Sequence, residues 1–350
     1  MKVALDLRVL GDPALAERGI GRYTSELAAA LAAEGVPVTE LYTLQRPWAP
    51  ARVAELWDHL LLGRDARAAG AEVLHSPSID HASARPGLPY VITLHDLVPL
   101  KNPGSYLRTG LKHRLRYTAV KRATRVIVPS QAVADDAAAL LGVDHTDVVP
   151  EAPATVFRPV TAPRGLLARL RLPERFLLWV GGLDPPDPRK GIDRLAHRAA
   201  EGGTLPLVLA GRHDAAGAQL GVEGRVLLTG RVSDEELAAL YSAADALVLP
   251  SVDEGFGLTP HEALACGTAV AASAIPALTE TLADNPAVRL VPPGDLDALL
   301  GAAEELAGRE AQAGGRTWDD VARETLAVYE RARGGRSGDR HANERPPDAH

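Results

Sequence analysis

Two carboxylates, Glu254 and Glu262, stand eight residues apart in the stretch VLPSVDEGFGLTPHEALACGTAVAAS, Val248 to Ser273. Such a pair could share a proton, bracket a ligand, or do neither. ALVLPS is a short apolar run that predicts a buried strand, VDEGFGL is the loop at its carboxyl end, and TPHEALA opens a helix. Backbone amides at Gly257 and Leu258, beside a helix start, favour an anion. Glu254 would be repelled by a phosphate there unless it reached past it to sugar hydroxyls, two of which a carboxylate accepts from well. The loop therefore suits a nucleotide sugar better than a plain nucleotide. Glu262 also has a structural reading. Thr259 as N-cap, Pro260 at N1 and Glu262 at N3 spell the capping box T-x-x-E, with a stabilisation of about 1 kcal/mol for a good cap.

Three more loops carry candidate chemistry. In VGGLDPPDPRKGIDRL, Arg189 and Lys190 precede Gly191 and a helix. Cations at a helix start oppose its dipole, which neutralising a diphosphate would explain. Alone, the pair reads as solvated; beside the Glu254–Gly257 loop, the diphosphate reading is preferred. In ERGIGRYTSEL, Gly19 and Gly21 flank Ile20 ahead of a helix. Thr24 replaces the last glycine of G-x-G-x-x-G, and the next strand offers no acid for a ribose beyond Glu40, so a nicotinamide domain is disfavoured. Close backbone approach to a ligand stays open. In VITLHDLVPL, His95 and Asp96 follow a buried strand, where His95 could be a general base, a donor to phosphate, or structural. The acids of DPPDP make a weak metal candidate, and no H-E-x-x-H, Walker A or G-x-S-x-G pattern occurs.

The elements that must hold these loops alternate along the chain. KVALDL, PVTELYT, EVLHSP, YVITLHD and RVIVPS form one series of strand-like runs, and FLLWVGG, LPLVLAG, RVLLTG, ALVLPS and TAVAAS form a second. Runs with little alternation suit parallel strands buried on both faces, and strand–helix alternation predicts doubly wound α/β sheets. Two such Rossmann-like domains would carry their ligand loops at the carboxyl ends of the strands, facing a central cleft. PEAPATVFRPVTAPRG, rich in proline, is the candidate linker. The expected domains are 1–158 and 159–315, followed by a helix at 316–333 with Trp318, Val321, Thr325, Val328 and Tyr329 near one face. The segment 334–350 has almost no apolar residues and is expected to be a disordered tail.

Bulk properties narrow the classes. A chain of 350 residues with 46% hydrophobic content suits two cores. The net charge of −7 gives no support to a nucleic-acid partner. The single cysteine, Cys266, excludes an intrachain disulfide framework and reads as small buried filler. MKVALDLRVL reads as a first strand rather than a signal peptide, and no apolar run is long enough to span a membrane, so a cytoplasmic protein is expected. The basic stretch with Arg108, Lys112, Arg114, Arg116, Lys121, Arg122 and Arg125 reads as a solvated helix face. Its sharper alternative is peripheral contact with an anionic membrane or lipid diphosphate through 108–125.

These loops in this order resemble the retaining nucleotide-sugar glycosyltransferases of family 4, which have the GT-B fold. EGFGLTPHEALACGTAVAAS looks like that family's E-x7-E signature, and LLTGRVSDEELAALYSAADALVLPS before it is also typical. The resemblance implies catalytic roles for His95, Glu254, Arg189 and Lys190. It implies a donor site of Gly21, Gly181, Gly182, Arg189, Lys190, Arg231, Glu254, Gly255, Phe256, Gly257, Leu258 and Glu262. Glu254 would meet the transferred sugar, Glu262 the ribose, and Arg189 and Lys190 the diphosphate. Arg22, Tyr23, His95 and Asp96 would lie on the acceptor side, and the last helix would cross back to the N-terminal domain. No cofactor and no metal are implied. The donor would be a nucleotide-diphosphate sugar, GDP-mannose or a UDP-sugar, with PRKG and GIGRY resembling a mannosyltransferase-like branch. The acceptor would be a glycan, a lipid-linked glycan or a small molecule. Gly182 departs from the arginine many members carry. It leaves a non-catalytic nucleotide-sugar-binding subunit as an alternative, beside a GT-B sugar-nucleotide epimerase.

Overall fold

The ten apolar runs become ten of the twelve strands of two six-stranded sheets, parallel throughout. The structure, a computed structural model, describes residues 1–12, 15–16, 19–41, 51–83, 85–101, 110–161, 164–184, 186–312 and 314–338. The first sheet holds β1 (Val3–Asp6), β2 (Val38–Leu41), β3 (Val73–Ser76), β4 (Tyr90–Thr93), β5 (Arg125–Val128) and β6 (Thr146–Val148), in the order β2-β1-β3-β4-β5-β6. The second holds β7 (Leu177–Val180), β8 (Leu207–Ala210), β9 (Val226–Gly230), β10 (Ala246–Leu249), β11 (Val270–Ser273) and β12 (Val288–Val291), in the order β12-β11-β10-β7-β8-β9. VALD, VLHS, YVIT, LVLA, ALVL and VAAS are buried at every position, as strands covered on both faces must be.

Helices of seven residues or more are α1 (Gly19–Ala33), α2 (Ala51–Ala68), α3 (Gly110–Arg122), α4 (Gln131–Leu141), α5 (Ile192–Ala200), α6 (Asp234–Ala243), α7 (Leu258–Ala265), α8 (Pro276–Leu282), α9 (Leu296–Leu306) and α10 (Trp318–Gly338). Local chemistry sets their ends. Ser130 caps α4 and Gly142, at φ 66°, closes it. A capping box does occur, at Ser233 and Glu236 of α6.

The chain divides into a first unit of Met1–Glu151 together with the C-terminal helix, and a second of Ala152–Thr317. The first unit ends ahead of the expected position 158, because Ala154 and Phe157 already belong to the second unit's core. α10 belongs to the first unit and packs on α1 and on β3, β4 and β5. It buries Trp318, Val321, Ala322, Thr325, Val328, Tyr329 and Ala332, the one-turn spacing of a single helical face. The helix runs past the expected end at 333, with Arg331 paired to Asp147 at 2.8 Å and Arg333 to Glu72 at 2.7 Å. The rest of the expected tail, 339–350, lies outside the described residues.

Candidate functional site

In the second sheet the strand order reverses between β10 and β7, which pair directly through Ala246–Leu177 and Leu247–Leu178. Open α/β sheets bind ligands at the carboxyl ends of strands at such a switch point. The two loops that the sequence singles out there, after β7 and after β10, are therefore neighbours by topology.

Backbone contacts bring them closer. Pro188–Lys190 forms a single 3-10 turn, capped by Asp187, whose side chain accepts from the Arg189 amide at 3.0 Å. Gly191 then turns the chain into α5 at φ 63°, and a Cβ there would lie 2.8 Å from the Pro250 carbonyl oxygen. The Val252 amide donates to the Arg189 carbonyl at 2.8 Å. Side chains complete the join: Lys190 Nζ lies 2.6 Å from Glu254 Oε1 and Arg189 Nη1 lies 3.8 Å from Glu254 Oε2. Arg189 also pairs with Asp187 at 2.8 Å and reaches the Asp253 carbonyl at 3.4 Å. Burial opposes ionisation of Glu254, but the Lys190 ammonium and the Arg189 guanidinium outweigh it and hold the carboxyl below its usual range. The DPPDP acids form ion pairs as well, Asp187 with Arg189 and Asp184 with Arg212 at 2.6 Å.

The helix after β10 differs from its sequence reading. α7 begins at Leu258 with Gly257 as its N-cap, at φ 88°, and no side chain caps it. Thr259 thus lies inside the first turn and the T-x-x-E capping box does not form. Gly257 has to be glycine on two counts, since its φ is left-handed and a Cβ would lie 2.4 Å from Leu278 Cδ2. Phe256 stacks on His261 with centroids 4.4 Å apart, and His261 Nδ1 donates to the Gly257 carbonyl at 2.7 Å. Together they fix the entry to the helix and its amides. Glu262, 3% exposed, accepts a hydrogen bond from the Tyr241 hydroxyl at 2.9 Å instead of reaching back to a cap. Cys266 is buried filler as expected, its thiol pushed up to about 12 by burial and then by Glu262.

Other donor-side candidates are placed differently. A Cβ on Gly181 would meet the Trp179 ring at 2.6 Å, so this glycine serves packing beneath the loop. Gly182 is exposed, with its nearest neighbour, Asp184 Oδ1, at 3.4 Å from a Cβ, so a side chain fits there. Gly255 is buried between Glu254 and Phe256. Arg231 is exposed directly after β9, the edge strand, and so stands apart from the β7 and β10 loops in sheet order.

In the first unit the switch point lies between β1 and β3. Gly21 is buried inside α1, where a Cβ would collide with the Ala16 carbonyl at 2.1 Å. It lets the preceding loop lie against the helix. Tyr23, expected on the acceptor side, is 1% exposed. Its burial between Trp318, His95 and Thr93 corrects that expectation, with ring centroids 5.5 and 4.7 Å away and its hydroxyl 3.1 Å from Thr93 Oγ1. Arg22, next to it, is half-buried, and Asp96 accepts from the Val98 amide at 3.2 Å.

His95 has both ring nitrogens engaged by acceptors, Nδ1 with Glu151 Oε1 and Nε2 with the Pro77 carbonyl, each at 2.9 Å. Donation to both acceptors at once requires the protonated ring, with an N–H on each nitrogen. Burial pulls its pKa down, but Glu151 overrides this and raises it. A general base needs a free lone pair, and this ring has none while both bonds hold. Sequence reasoning missed three partners. Glu151 sat in the candidate linker, and Tyr241 was quoted only within the run LLTGRVSDEELAALYSAADALVLPS. His75, quoted only as a strand end, is fully buried between the Tyr329 hydroxyl at 2.7 Å and Thr93 Oγ1 at 2.9 Å. Burial depresses its pKa to about 3, so it stays neutral.

The basic stretch is partly spent on structure. Arg116 pairs with Asp80 at 2.6 Å and Arg125 with Asp147 at 2.7 Å, while Lys121 and Arg122 are exposed. Arg108 and the side chains of Lys112 and Arg114 lie outside the described residues, as do residues 13–14, 17–18, 84 and 102–109, which fall in the three loops where an acceptor is expected, 11–22, 76–85 and 101–111. No helix among the described residues is long and apolar enough to cross a membrane.

Comparison with known proteins bears on the family and the fold. Residues 18–152 match the family model for Glycosyltransferase Family 4, and residues 174–309 match that for Glycosyl transferases group 1. A D-inositol 3-phosphate glycosyltransferase of Mycobacterium avium is 32% identical over 72% of this chain and 66% of its own length. An MMP alpha-(1->4)-mannosyltransferase of Mycolicibacterium hassiacum is 36% identical over 41% of each chain. The matched part of this chain thus spans 66% or less of the length of these two relatives. The solved sucrose-phosphate synthase of Thermosynechococcus elongatus superposes with a TM-score of 0.69 at 24% identity, covering 98% of this chain and 99% of that one, and so shares the GT-B fold. With both units matched by glycosyltransferase models, the chain belongs to glycosyltransferase family 4.

Proposed function

We propose that this chain is a hexosyltransferase that moves a sugar, with retention, from a nucleotide-diphosphate sugar to a glycan, lipid-linked or small-molecule acceptor. The observation that supports this best is the cluster of Lys190, Arg189 and Glu254 at the switch point, beside the helix start at Gly257 and Leu258. A diphosphate laid on that helix start competes with Glu254 for the two cations. Its binding frees the carboxylate to accept from sugar hydroxyls one step further along the ligand. Cations and amides then face the group on which negative charge grows as the leaving group departs, so they favour the transition state over the ground state. In this reading the protein's own charges meet the diphosphate, and no metal takes part. His95, with both ring nitrogens engaged by acceptors, serves in this reading as a hydrogen-bonded group and not as a base.

The donor we propose is GDP-mannose or a related nucleotide sugar, which the name of the mannosyltransferase relative supports. For a lipid-linked acceptor, the exposed Lys121 and Arg122 would add contact with an anionic membrane face. The test is a panel of nucleotide sugars scored for thermal stabilisation and slow donor hydrolysis. At least one donor should raise the melting temperature and be hydrolysed to its nucleoside diphosphate. A panel in which no donor shifts the melting temperature sinks the proposal.

A further inference from the structure

We infer that Tyr241 is a positioning residue for nucleotide recognition, its hydroxyl holding Glu262 in the rotamer that reads the ribose. The inference rests on the donor-site reading above and extends it to a residue that touches no ligand. Tyr241 lies in α6, fully buried, and donates to Glu262 Oε2 at 2.9 Å. Its main chain is tied to the same neighbour, because the Thr268 hydroxyl donates to the Tyr241 carbonyl. Thr268 in turn closes α7, its amide donating to the Ala263 carbonyl at 2.9 Å. One residue therefore grips α7 in the middle through its side chain and at the closing turn through its backbone. The ring is held as well, edge-on to Phe157 with centroids 5.8 Å apart at 78°.

Packing does not explain the hydroxyl. Tyr241 lies in an apolar core with Phe157, Ala263 and Leu264, where a phenylalanine ring would fill the same space. Nor is an acid at Glu262 a gain in stability, since a carboxylate 3% exposed gives up its hydration. Both groups make sense together if the carboxylate is kept charged and aimed for a ligand beside the α7 start.

The test measures binding of whichever of GDP or UDP the wild-type chain prefers, and of its 2′,3′-dideoxy counterpart, by titration calorimetry. Tyr241→Phe should weaken the ribonucleotide about tenfold, as loss of a hydrogen bond to a charged group implies, and leave the dideoxy form unchanged. Tyr241→Phe combined with Glu262→Gln should bind no more weakly than Glu262→Gln alone. Equal losses for both nucleotides, or additive losses in the double variant, would overturn the inference. If wild type distinguishes the two nucleotides and Tyr241→Phe does not alter the distinction, the inference alone falls. If wild type binds them equally or binds neither, the reading of Glu262 falls and the inference with it. Should Tyr241→Phe fail to fold, Phe157→Leu takes its place, with a smaller loss confined to the ribonucleotide expected and an equal loss for both nucleotides refuting.

Discussion

Lys190 and Arg189 hold Glu254 through ion pairs, and in the proposed function the same two cations meet the diphosphate. Replacing either cation by alanine should lower turnover about 100-fold, the effect of losing one electrostatic donor to the transition state. Near-wild-type donor hydrolysis by both variants would remove the clamp. The Glu254 pKa is depressed, so its contribution to stability is present above the ordinary value of 4.5 and lost as the pH falls through the lower folded value. Glu254→Gln should flatten that acid limb in melting temperature against pH. The sign at His95 is opposite. Its pKa is raised from 6.5, so its pairing with Glu151 stabilises below that pH and is lost as the pH rises through the folded value. Glu151→Gln should erase the alkaline loss, and an unchanged profile would mean the pair contributes nothing. Residue types and spacing pointed to Glu254, Arg189 and Lys190, which the fold brings into contact. They could not place Glu262 under Tyr241, because that bond joins two helices and T-x-x-E copies a cap motif that the backbone does not use.

At the level of elements, Gly257 governs how α7 starts. Gly257→Ala should lower the denaturation midpoint by an amount corresponding to about 1–3 kcal/mol from the left-handed φ alone, with the Leu278 collision added. Gly182→Ala, with 3.4 Å to its nearest neighbour, should leave the midpoint nearly unchanged. Equal midpoints for the two variants would contradict this account of the helix start. The same contrast between buried and open positions explains which strands were legible. The central strands are continuous apolar runs and stand out. β6, TDV, and β12, VRLV, lie at sheet edges, the first only three residues long and charged, the second interrupted by an arginine, so neither forms the continuous apolar run that marks the central strands.

For the whole molecule, the key feature is the return of the chain to the first unit. A truncation ending at Arg316 would uncover the pockets of Trp318, Val328 and Tyr329, each worth about 1.5–3 kcal/mol of burial, and strip His75 of a partner. Calorimetry should then show the first unit's transition lost or strongly lowered and the second unit's retained. A full-strength first transition would refute the dependence. The amphipathic face of α10 was readable from its spacing, but its destination followed only from the family resemblance, since periodicity shows that a face is covered and not by what.

That return also sets a timetable. Tyr329 and His75 are 254 positions apart, with the whole second unit between them. A ribosome releases residues in order, so the second unit has all its strands and its core before the first receives its last helix. The first unit, though made first, is the last to close. Until then its His75 and Tyr23 lack the cover of α10, which makes the emerging N-terminal half the stage of synthesis most in need of protection.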